Sequence, residues 1–181
     1  FEMTIKECSS KVEAEWYSAL TMYNDLLKRR TGGRFKTKEF VDLHLRLREE
    51  VPQMECLTLE QLQQMIGVKY LQGKTRMQYN SIVKNNTDKN VQNTTRKAFE
   101  AIGKGRFEEA LDHLIGLREV GPATATLILA YKDPDMWMYG SDWVYDVTNS
   151  GSKRDYSKAS SLRARLEVKK LRDLLNAYCP K

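Results

Sequence analysis

The stretch of this chain with the clearest chemical use is a turn between two short, helix-like segments. It reads Leu114-Ile115-Gly116-Leu117-Arg118-Glu119-Val120-Gly121-Pro122-Ala123-Thr124-Ala125. Proline is favoured at the first position of a helix, so Pro122 marks the start of the second segment. The unpaired N–H groups at that start, aided by the helix dipole, can bind a phosphate. Gly121 lets the backbone approach such an anion, and Ala123 with Ala125 lets the two helices pack closely.

Basic side chains near this turn add to the predicted phosphate site. Arg118 lies within the turn, and four further cations precede it in two pairs: Lys74 and Arg76, then Lys104 and Arg106. The net charge of +6 suits a polyanionic partner, although many small proteins carry such a charge for solubility alone. Lys74 also belongs to a Gly-Lys-Thr sequence, but the glycine spacing is wrong for a nucleotide-binding loop and no strand precedes it. Nucleotide hydrolysis is therefore excluded.

An aromatic cluster surrounds Asp142. Its members are Trp137, Tyr139, Trp143 and Tyr145. Such rings can stack on a base that has left a duplex, or they can pack in the core, which is the commoner outcome. We assign Trp137 to the candidate nucleic-acid contacts. Asp142 can alternatively cap a helix that starts at Trp143, an ordinary role for an aspartate.

The turn resembles the helix-hairpin-helix of the DNA glycosylase superfamily that contains the endonuclease III-like and alkyladenine enzymes. That family's pattern is Leu-x-Gly-Val-Gly with a small residue four positions on, followed by an aspartate loop. Asp142 follows Gly121 by 21 residues, the separation expected for the family's catalytic aspartate. The resemblance spans about residues 58–145. It is closest to an uncharacterised eukaryotic branch, through residues 120–125 and 138–142, Gly73-Lys74 with Arg76, and residues 96–99.

This resemblance implies an all-α, compact multi-helix domain with a helix-hairpin-helix unit at about residues 107–131. It also implies that DNA is contacted by the turn, through Arg118, Val120, Gly121, Pro122 and Ala123. Base excision repair in the nucleus would be the corresponding setting. In a glycosylase, a carboxylate at Asp142 would stabilise the developing sugar cation and activate water while the flipped base leaves.

Three departures from the family pattern limit this inference. Glu119 replaces the first glycine of the hairpin and brings a carboxylate beside the expected phosphate, a repulsion of about 1 to 4 kcal/mol at close contact. Ala123 occupies the position of the lysine that forms the imine in lyase-type members, so an enzyme here would be monofunctional and without lyase activity. The four-cysteine cluster motif is lacking, so no iron–sulfur cofactor, or any other cofactor, is expected.

The positions of apolar residues predict helices nearly throughout and no strand. We expect a single helical domain over residues 1–181 with a flexible segment at about 149–156. Four predicted helices have both ends defined by the apolar pattern: 16–27, 77–84, 107–115 and 123–131. A further helix starts at Thr37 and ends before Pro52, and another runs from Asp88 or Asn90 to Gly103. A capping box at Thr58 and Gln61 opens a seventh helix, and the last begins at Ser157 or Ser160. The last carries exposed-face cations at Arg163, Arg165, Lys169, Lys170 and Arg172, and leucines that could meet a protein partner.

Composition narrows the class of protein. A hydrophobic fraction of 41% is that of a globular chain, and no apolar run approaches the roughly 20 residues of a membrane span. Cys8, Cys56 and Cys179 are scattered, which is typical of reduced thiols inside the cell. With only two histidines, no metal site is expected. Because the chain begins with Phe1, we also expect it to be part of a longer protein.

Three hypotheses follow. The first is a nucleic-acid-binding module with a glycosylase-like fold, degenerate in catalysis, that binds DNA or, alternatively, RNA. The second is an active monofunctional DNA glycosylase that uses Asp142 as its catalytic residue. The third is a protein-interaction scaffold on the same fold, for which Glu119 is the best argument because a carboxylate does not help a phosphate site.

Overall fold

The computed structural model describes residues 37–72, 85–148 and 154–178. Helices make up 74% of these residues, and no strand occurs among them, which confirms the predicted all-α class for this part of the chain. The helices are α1 (Thr37–Glu50), a short 3-10 helix (Val51–Gln53), α2 (Leu59–Gln72), α3 (Asp88–Gly103), α4 (Phe107–Ile115), α5 (Pro122–Lys132), α6 (Asp142–Thr148) and α7 (Lys158–Tyr178). None of the helices in the described ranges is both long and apolar enough to cross a bilayer.

Local capping chemistry sets the starts of α2 and α3. The predicted capping box is present before α2: the Gln61 N–H donates to Thr58 Oγ1 at 3.2 Å, and the Thr58 N–H donates to Gln61 Oε1 at 2.8 Å. Helix α3 is capped by Thr87, whose Oγ1 accepts from the Asn90 N–H at 3.2 Å. Thr87 has the extended backbone that an N-cap requires, and the helix runs from Asp88 to Gly103, as predicted.

The other helices in the described ranges begin and end within a residue or two of the predicted positions. Helix α1 begins at Thr37 and ends before Pro52. Helix α7 follows Ser157, whose Oγ accepts from the Ser160 N–H at 3.1 Å, as expected for a serine cap. The predicted helices at 16–27 and 77–84 lie outside the described residues, as do residues 149–153 of the predicted flexible segment.

Helix α5 forms the centre of the fold. It contacts α1, the 3-10 helix, α2, α4 and α7. A helix enclosed by other helices must present buried side chains on every side, and the sequence of α5 is accordingly apolar or small nearly all round. Its buried residues are Thr124, Ala125, Thr126, Leu127, Ile128, Leu129 and Tyr131.

Helices α3 and α4 pack closely against each other, and the hairpin turn, residues 116–121, follows α4 directly. Both are strongly amphipathic, and their buried faces include Ala98, Phe99, Leu111 and Leu114. The turn between them passes through Gly105, which has a φ of +71° that glycine adopts without strain. The fixed α3–α4 pair therefore determines where α4 ends and where the turn into α5 emerges at the surface.

Candidate nucleic-acid interface

The hairpin turn joins α4 to α5 and is anchored in the core by two side chains. Leu117 is 2% exposed and Val120 is 3% exposed. The Val120 N–H donates within the turn to the Leu117 carbonyl at 3.2 Å. Val120 was predicted as a nucleic-acid contact, but its side chain packs inside and its N–H already has an acceptor. Its role is to hold the turn in place for its neighbours.

A buried asparagine clamps the backbone of the turn. Asn86 is 5% exposed, and its Nδ2 donates to the Arg118 carbonyl at 2.9 Å. The Arg118 N–H in turn donates to Asn86 Oδ1 at 3.1 Å. One amide side chain thus satisfies both polar backbone groups of Arg118, as a neighbouring strand would. The exposed Arg118 side chain is consequently carried on a backbone that cannot easily rotate.

The start of α5 has the features of an anion site. Gly121 is the N-cap, with φ −86° and ψ 175°, and no side chain caps the helix. The Gly121 carbonyl accepts from the N–H groups of Thr124 and Ala125, both at 2.9 Å. Pro122 has no N–H, and within the described part of the chain the Gly121 and Ala123 N–H groups have no acceptor. Gly121 is exposed and Ala123 is partly exposed, so both groups are open to a ligand.

A lysine from α2 reaches the same helix start. Lys69 Nζ donates to Thr124 Oγ1 at 2.6 Å, in the first turn of α5. The start of a helix carries the positive end of the helix dipole. Lys69 therefore adds positive potential where the dipole is already positive. Nothing in the sequence around residue 69 indicates this contact with a helix that begins 53 residues later, so Lys69 was not among the predicted site residues.

Glu119 occupies a backbone conformation that favours glycine. Its φ is +65°, the one non-glycine residue with positive φ among the described residues. Left-handed backbone costs a residue with a Cβ about 1 to 2 kcal/mol, so the turn holds Glu119 in place against local strain. Its side chain is exposed and has neither an ion pair nor a hydrogen bond within the described ranges. The turn thus keeps the shape expected of a glycine at this position although the residue is a glutamate.

Two of the remaining predicted cations, Lys104 and Arg106, lie away from the turn. Lys104 and Arg106 are exposed but lie at the opposite end of α4, about 13 Å of helix away from its junction with the turn. Arg106 also forms an ion pair with Glu109 at 2.9 Å. Lys74 and Arg76 lie outside the described residues. Arg118 is therefore the predicted cation that the structure places at the hairpin.

Trp137 is buried, contrary to its assignment as a nucleic-acid contact. It is 4% exposed and packs edge-on against Phe107, with ring centroids 6.1 Å apart. The Arg165 guanidinium lies over its ring at 5.5 Å. Burial between α4 and α7 leaves no face of the indole for a base, so the core-packing interpretation is the correct one for this tryptophan. The same holds for Tyr145, which is fully buried.

Asp142 is the first residue of α6, and its carboxylate is 61% exposed. It accepts from Tyr156 Oη at 2.7 Å and from Arg154 Nη1 at 3.1 Å. The predicted capping role is not observed: among the described residues no backbone N–H donates to this carboxylate, and α6 begins one residue earlier than predicted. Asp142 instead belongs to a surface cluster with Asp146, Arg154 and Tyr156, which we call the Asp142 cluster.

Arg154 organises the Asp142 cluster. It donates from Nε and Nη2 to both carboxylate oxygens of Asp146, at 2.5 and 2.6 Å, while its Nη1 reaches Asp142. The hydrogen bonds from Arg154 hold the pKa of Asp146 below its usual value. The hydrogen bond to Asp142 raises the pKa of the Tyr156 hydroxyl. In this cluster the carboxylates of Asp142 and Asp146 share one guanidinium, and the Tyr156 hydroxyl is a second donor to Asp142.

A glycine ties the loop that carries Asp142 to helix α5. The Gly140 N–H donates to Thr126 Oγ1 at 3.0 Å, and that hydroxyl donates to the Ala123 carbonyl at 3.1 Å. A Cβ at residue 140 would lie 2.6 Å from Tyr145 Oη and 2.9 Å from Thr126 Oγ1, so only glycine fits. This contact connects the two candidate features of the sequence, the hairpin and Asp142.

Comparisons with known proteins do not extend this description. No protein-family model matches the chain, and no curated protein or solved structure shows significant similarity to it. The helix-hairpin-helix resemblance therefore stays a prediction from the sequence pattern. The geometry of the turn and of the Asp142 cluster is the basis for a functional proposal.

Removal of the Asn86 clamp should loosen the turn. Because Asn86→Ala leaves the buried N–H and carbonyl of Arg118 without partners, we expect a loss of about 1 to 3 kcal/mol in the free energy of unfolding. Urea denaturation measures this loss, and amide hydrogen exchange at Arg118 should become faster. The adjacent exposed Asn85 provides the matched control, since Asn85→Ala should change stability by less than about 0.5 kcal/mol. Equal effects of the two substitutions would contradict the clamp.

Proposed function

We propose that this chain is a nucleic-acid-binding module that holds a backbone phosphate at the hairpin turn. The observation that carries the proposal is the uncapped start of α5, where the Gly121 and Ala123 N–H groups have no acceptor among the residues that the structure describes. Arg118 and Lys69 place positive charge on either side of that start. A net charge of +6 adds a general attraction to polyanions. DNA is the preferred ligand, and RNA is the alternative that the same chemistry allows.

Binding of this kind is expected to depend little on base sequence. Backbone N–H groups, a lysine and an arginine at a turn contact phosphates, which position a protein on a duplex but carry no sequence information. The buried Trp137 offers no ring to a base. The module would therefore supply affinity and orientation, while any base preference would require other residues.

An arginine substitution tests whether the turn is the phosphate site. We expect Arg118→Glu to weaken binding to a fluorescein-labelled DNA duplex by about tenfold at low salt, and to reduce the slope of log Kd against log salt concentration by about one. Fluorescence anisotropy between about 50 and 200 mM salt measures both quantities.

Lys104→Glu is the matched control for this measurement. It makes the same change of charge at an exposed residue on the far end of α4. A general electrostatic attraction would make the two substitutions equally harmful, and that result would count against the hairpin. Undetectable DNA binding at low salt would favour the scaffold hypothesis instead.

Glu119 tests which way the turn faces. Removing its charge by Glu119→Gln should strengthen DNA binding by about twofold to fivefold if a phosphate lies nearby, with little change in stability. Glu119→Gly should give the same gain and should also stabilise the fold by up to about 1 kcal/mol, because glycine tolerates the φ of +65°. Anisotropy and urea denaturation separate the two effects. A stabilised glycine variant without any gain in DNA affinity would mean that the turn does not face a phosphate.

A second candidate function is that of a monofunctional DNA glycosylase with Asp142 as the catalytic carboxylate. The contact between Gly140 and Thr126 favours it, since this contact fixes the loop of Asp142 to the hairpin helix. Stabilisation of a sugar cation requires a carboxylate near the sugar, and the ion pair with Arg154 occupies one oxygen of the Asp142 carboxylate.

Base release from damaged duplexes distinguishes the two candidates. If Asp142 is catalytic, Asp142→Asn should abolish release of free base, while Asp146→Asn, which alters the same cluster, should retain most of it. DNA binding should be unchanged in both variants, since neither carboxylate contacts the turn. Wild-type protein that binds DNA but releases no base from deaminated, oxidised or alkylated substrates would contradict the enzymatic candidate and leave the binding module.

A further inference from the structure

A groove separates α4 from α7 at the end of α4 that lies away from the hairpin turn. It is a shallow groove that is largely open to solvent, with a volume of about 670 Å³. Phe107, Leu162 and Leu166 give it apolar walls, and Arg165 lies among them. Leu166 is 51% exposed, so the groove opens to solvent beside a large apolar side chain.

Arg165 is the unusual residue of this groove. It was predicted to lie on a solvated face of the last helix, but it is only 6% exposed. Its guanidinium is stacked 3.4 Å from the centre of the Phe107 ring and lies 5.5 Å from that of Trp137. Stacking engages the face of the guanidinium and leaves its N–H groups, which lie in the plane, available to donate.

No acceptor meets those N–H groups in the described part of the chain. Arg165 Nε is fully buried without a hydrogen-bond partner, and Arg165 forms no ion pair there. Trp137 Nε1, in the same aromatic cluster, is the other buried side-chain donor without a partner among the described residues. Of the two, Arg165 lines the groove, and a ligand that supplies an acceptor is one cause of an unpaired buried donor such as its Nε–H.

Burial lowers the pKa of the Arg165 guanidinium, an effect that Asp133 partly opposes. The group nevertheless stays charged at neutral pH, because an arginine does not lose its proton in proteins. A buried cation without a hydrogen-bonded partner is costly to the fold. An anion in the groove would remove that cost.

The walls of the groove select the kind of anion. Glu108 and Asp112 are both paired with Lys158, at 2.9 and 2.8 Å, and Glu109 is paired with Arg106. Their ion pairs reduce the negative potential of these three carboxylates, and the repulsion that remains acts more strongly on a dianionic phosphate than on a monoanion. The guanidinium fork matches a planar carboxylate with two parallel hydrogen bonds. The apolar walls suit a hydrocarbon or aromatic group attached to that carboxylate.

We infer that the groove between α4 and α7 binds an organic monocarboxylate, with the Arg165 guanidinium donating to the carboxylate and Phe107, Leu162 and Leu166 contacting its apolar part. The ligand is either a free carboxylic acid or a glutamate or aspartate side chain of a peptide flanked by apolar residues. This site is separate from the hairpin, since α4 lies between them.

The probes are 4-phenylbutyrate, its neutral amide 4-phenylbutyramide, and inorganic phosphate. Binding is measured by two-dimensional NMR that observes both the backbone amides and the arginine Nε–H groups. We expect 4-phenylbutyrate to shift the Arg165 Nε–H signal and the amides of α4 and α7, with a Kd in the millimolar range. The amide and phosphate should bind about tenfold more weakly or not at all.

Arg165→Met separates binding from structure, and Arg163→Met on the same helix is the exposed control. Because an apolar side chain of similar length replaces an unpaired buried charge, we expect Arg165→Met to keep or raise the thermal midpoint and to weaken 4-phenylbutyrate by tenfold or more. Arg163→Met should bind as the wild type does. A capped Leu-Glu-Leu peptide and its Leu-Gln-Leu control distinguish the two sources of the carboxylate. If the glutamate peptide binds more tightly than 4-phenylbutyrate and the glutamine peptide does not bind, the ligand is a carboxylate of a protein. If 4-phenylbutyrate binds more tightly than the glutamate peptide, the ligand is a free acid.

Several results would overturn the inference. These are no shift at Arg165 with either carboxylate probe, equal binding of the acid and its amide, or unchanged binding in Arg165→Met. A loss of stability in Arg165→Met together with unaltered binding would mean that the guanidinium acts only by stacking on Phe107. Shifts confined to the hairpin turn would place the anion at the helix start and not in the groove.

Discussion

Helix α5 is enclosed by other helices along most of its length, and this enclosure constrains the polar groups around it. Its two buried threonines must find partners inside the protein: Thr124 accepts from Lys69, and Thr126 links the Ala123 carbonyl to the Gly140 N–H. An unpaired buried hydroxyl would cost about 1 to 3 kcal/mol, so these contacts are required and not incidental. They determine which segments lie beside the start of α5.

The same constraint explains why the exposed features of the fold are rigid. The hairpin turn is held from below by Leu117 and Val120 and from the side by Asn86. At the other end of α5, Lys132 donates to the carbonyls of Pro52 and Met54, and burial lowers the pKa of its ammonium. Buried polar side chains thus form hydrogen bonds that join segments distant in the sequence. The surface that remains, at the turn and at the Asp142 cluster, is shaped by residues that do not themselves reach solvent.

Much of the helical framework could be predicted from the sequence, because its signals are local. The capping box at Thr58, the helix start at Thr37 and the proline at the beginning of α5 each act within one turn of helix. Contacts between distant segments gave no such signal. Asn86 meets Arg118 across 32 residues, and the preference for glycine at residue 140 arises from Tyr145 and Thr126 packing against it.

The two misassigned residues of the site show the same limit. Trp137 was predicted to meet nucleic acid because it belongs to the aromatic cluster around Asp142, and Arg165 was predicted to lie in solvent because it is one of several cations along the last helix. Each is buried partly by the other and partly by Phe107: the guanidinium stacks on the phenylalanine ring and lies over the tryptophan ring, and the two rings meet edge-on. Contacts among a loop residue and residues of two helices depend on how these segments pack together. The spacing of apolar residues along one helix does not predict such contacts.

Two arginines of this chain illustrate how environment assigns different chemistry to one side chain. Arg118 is exposed on a fixed turn, where its charge is screened by water and acts mainly to attract and orient a polyanion. Arg165 is buried, so its charge is screened little and each unsatisfied N–H costs more than it would at the surface. The first suits a weak, salt-dependent contact with any phosphate backbone. Arg165 therefore suits a ligand of defined shape. Only a group that enters the groove between α4 and α7 in the plane of the guanidinium can accept hydrogen bonds from it.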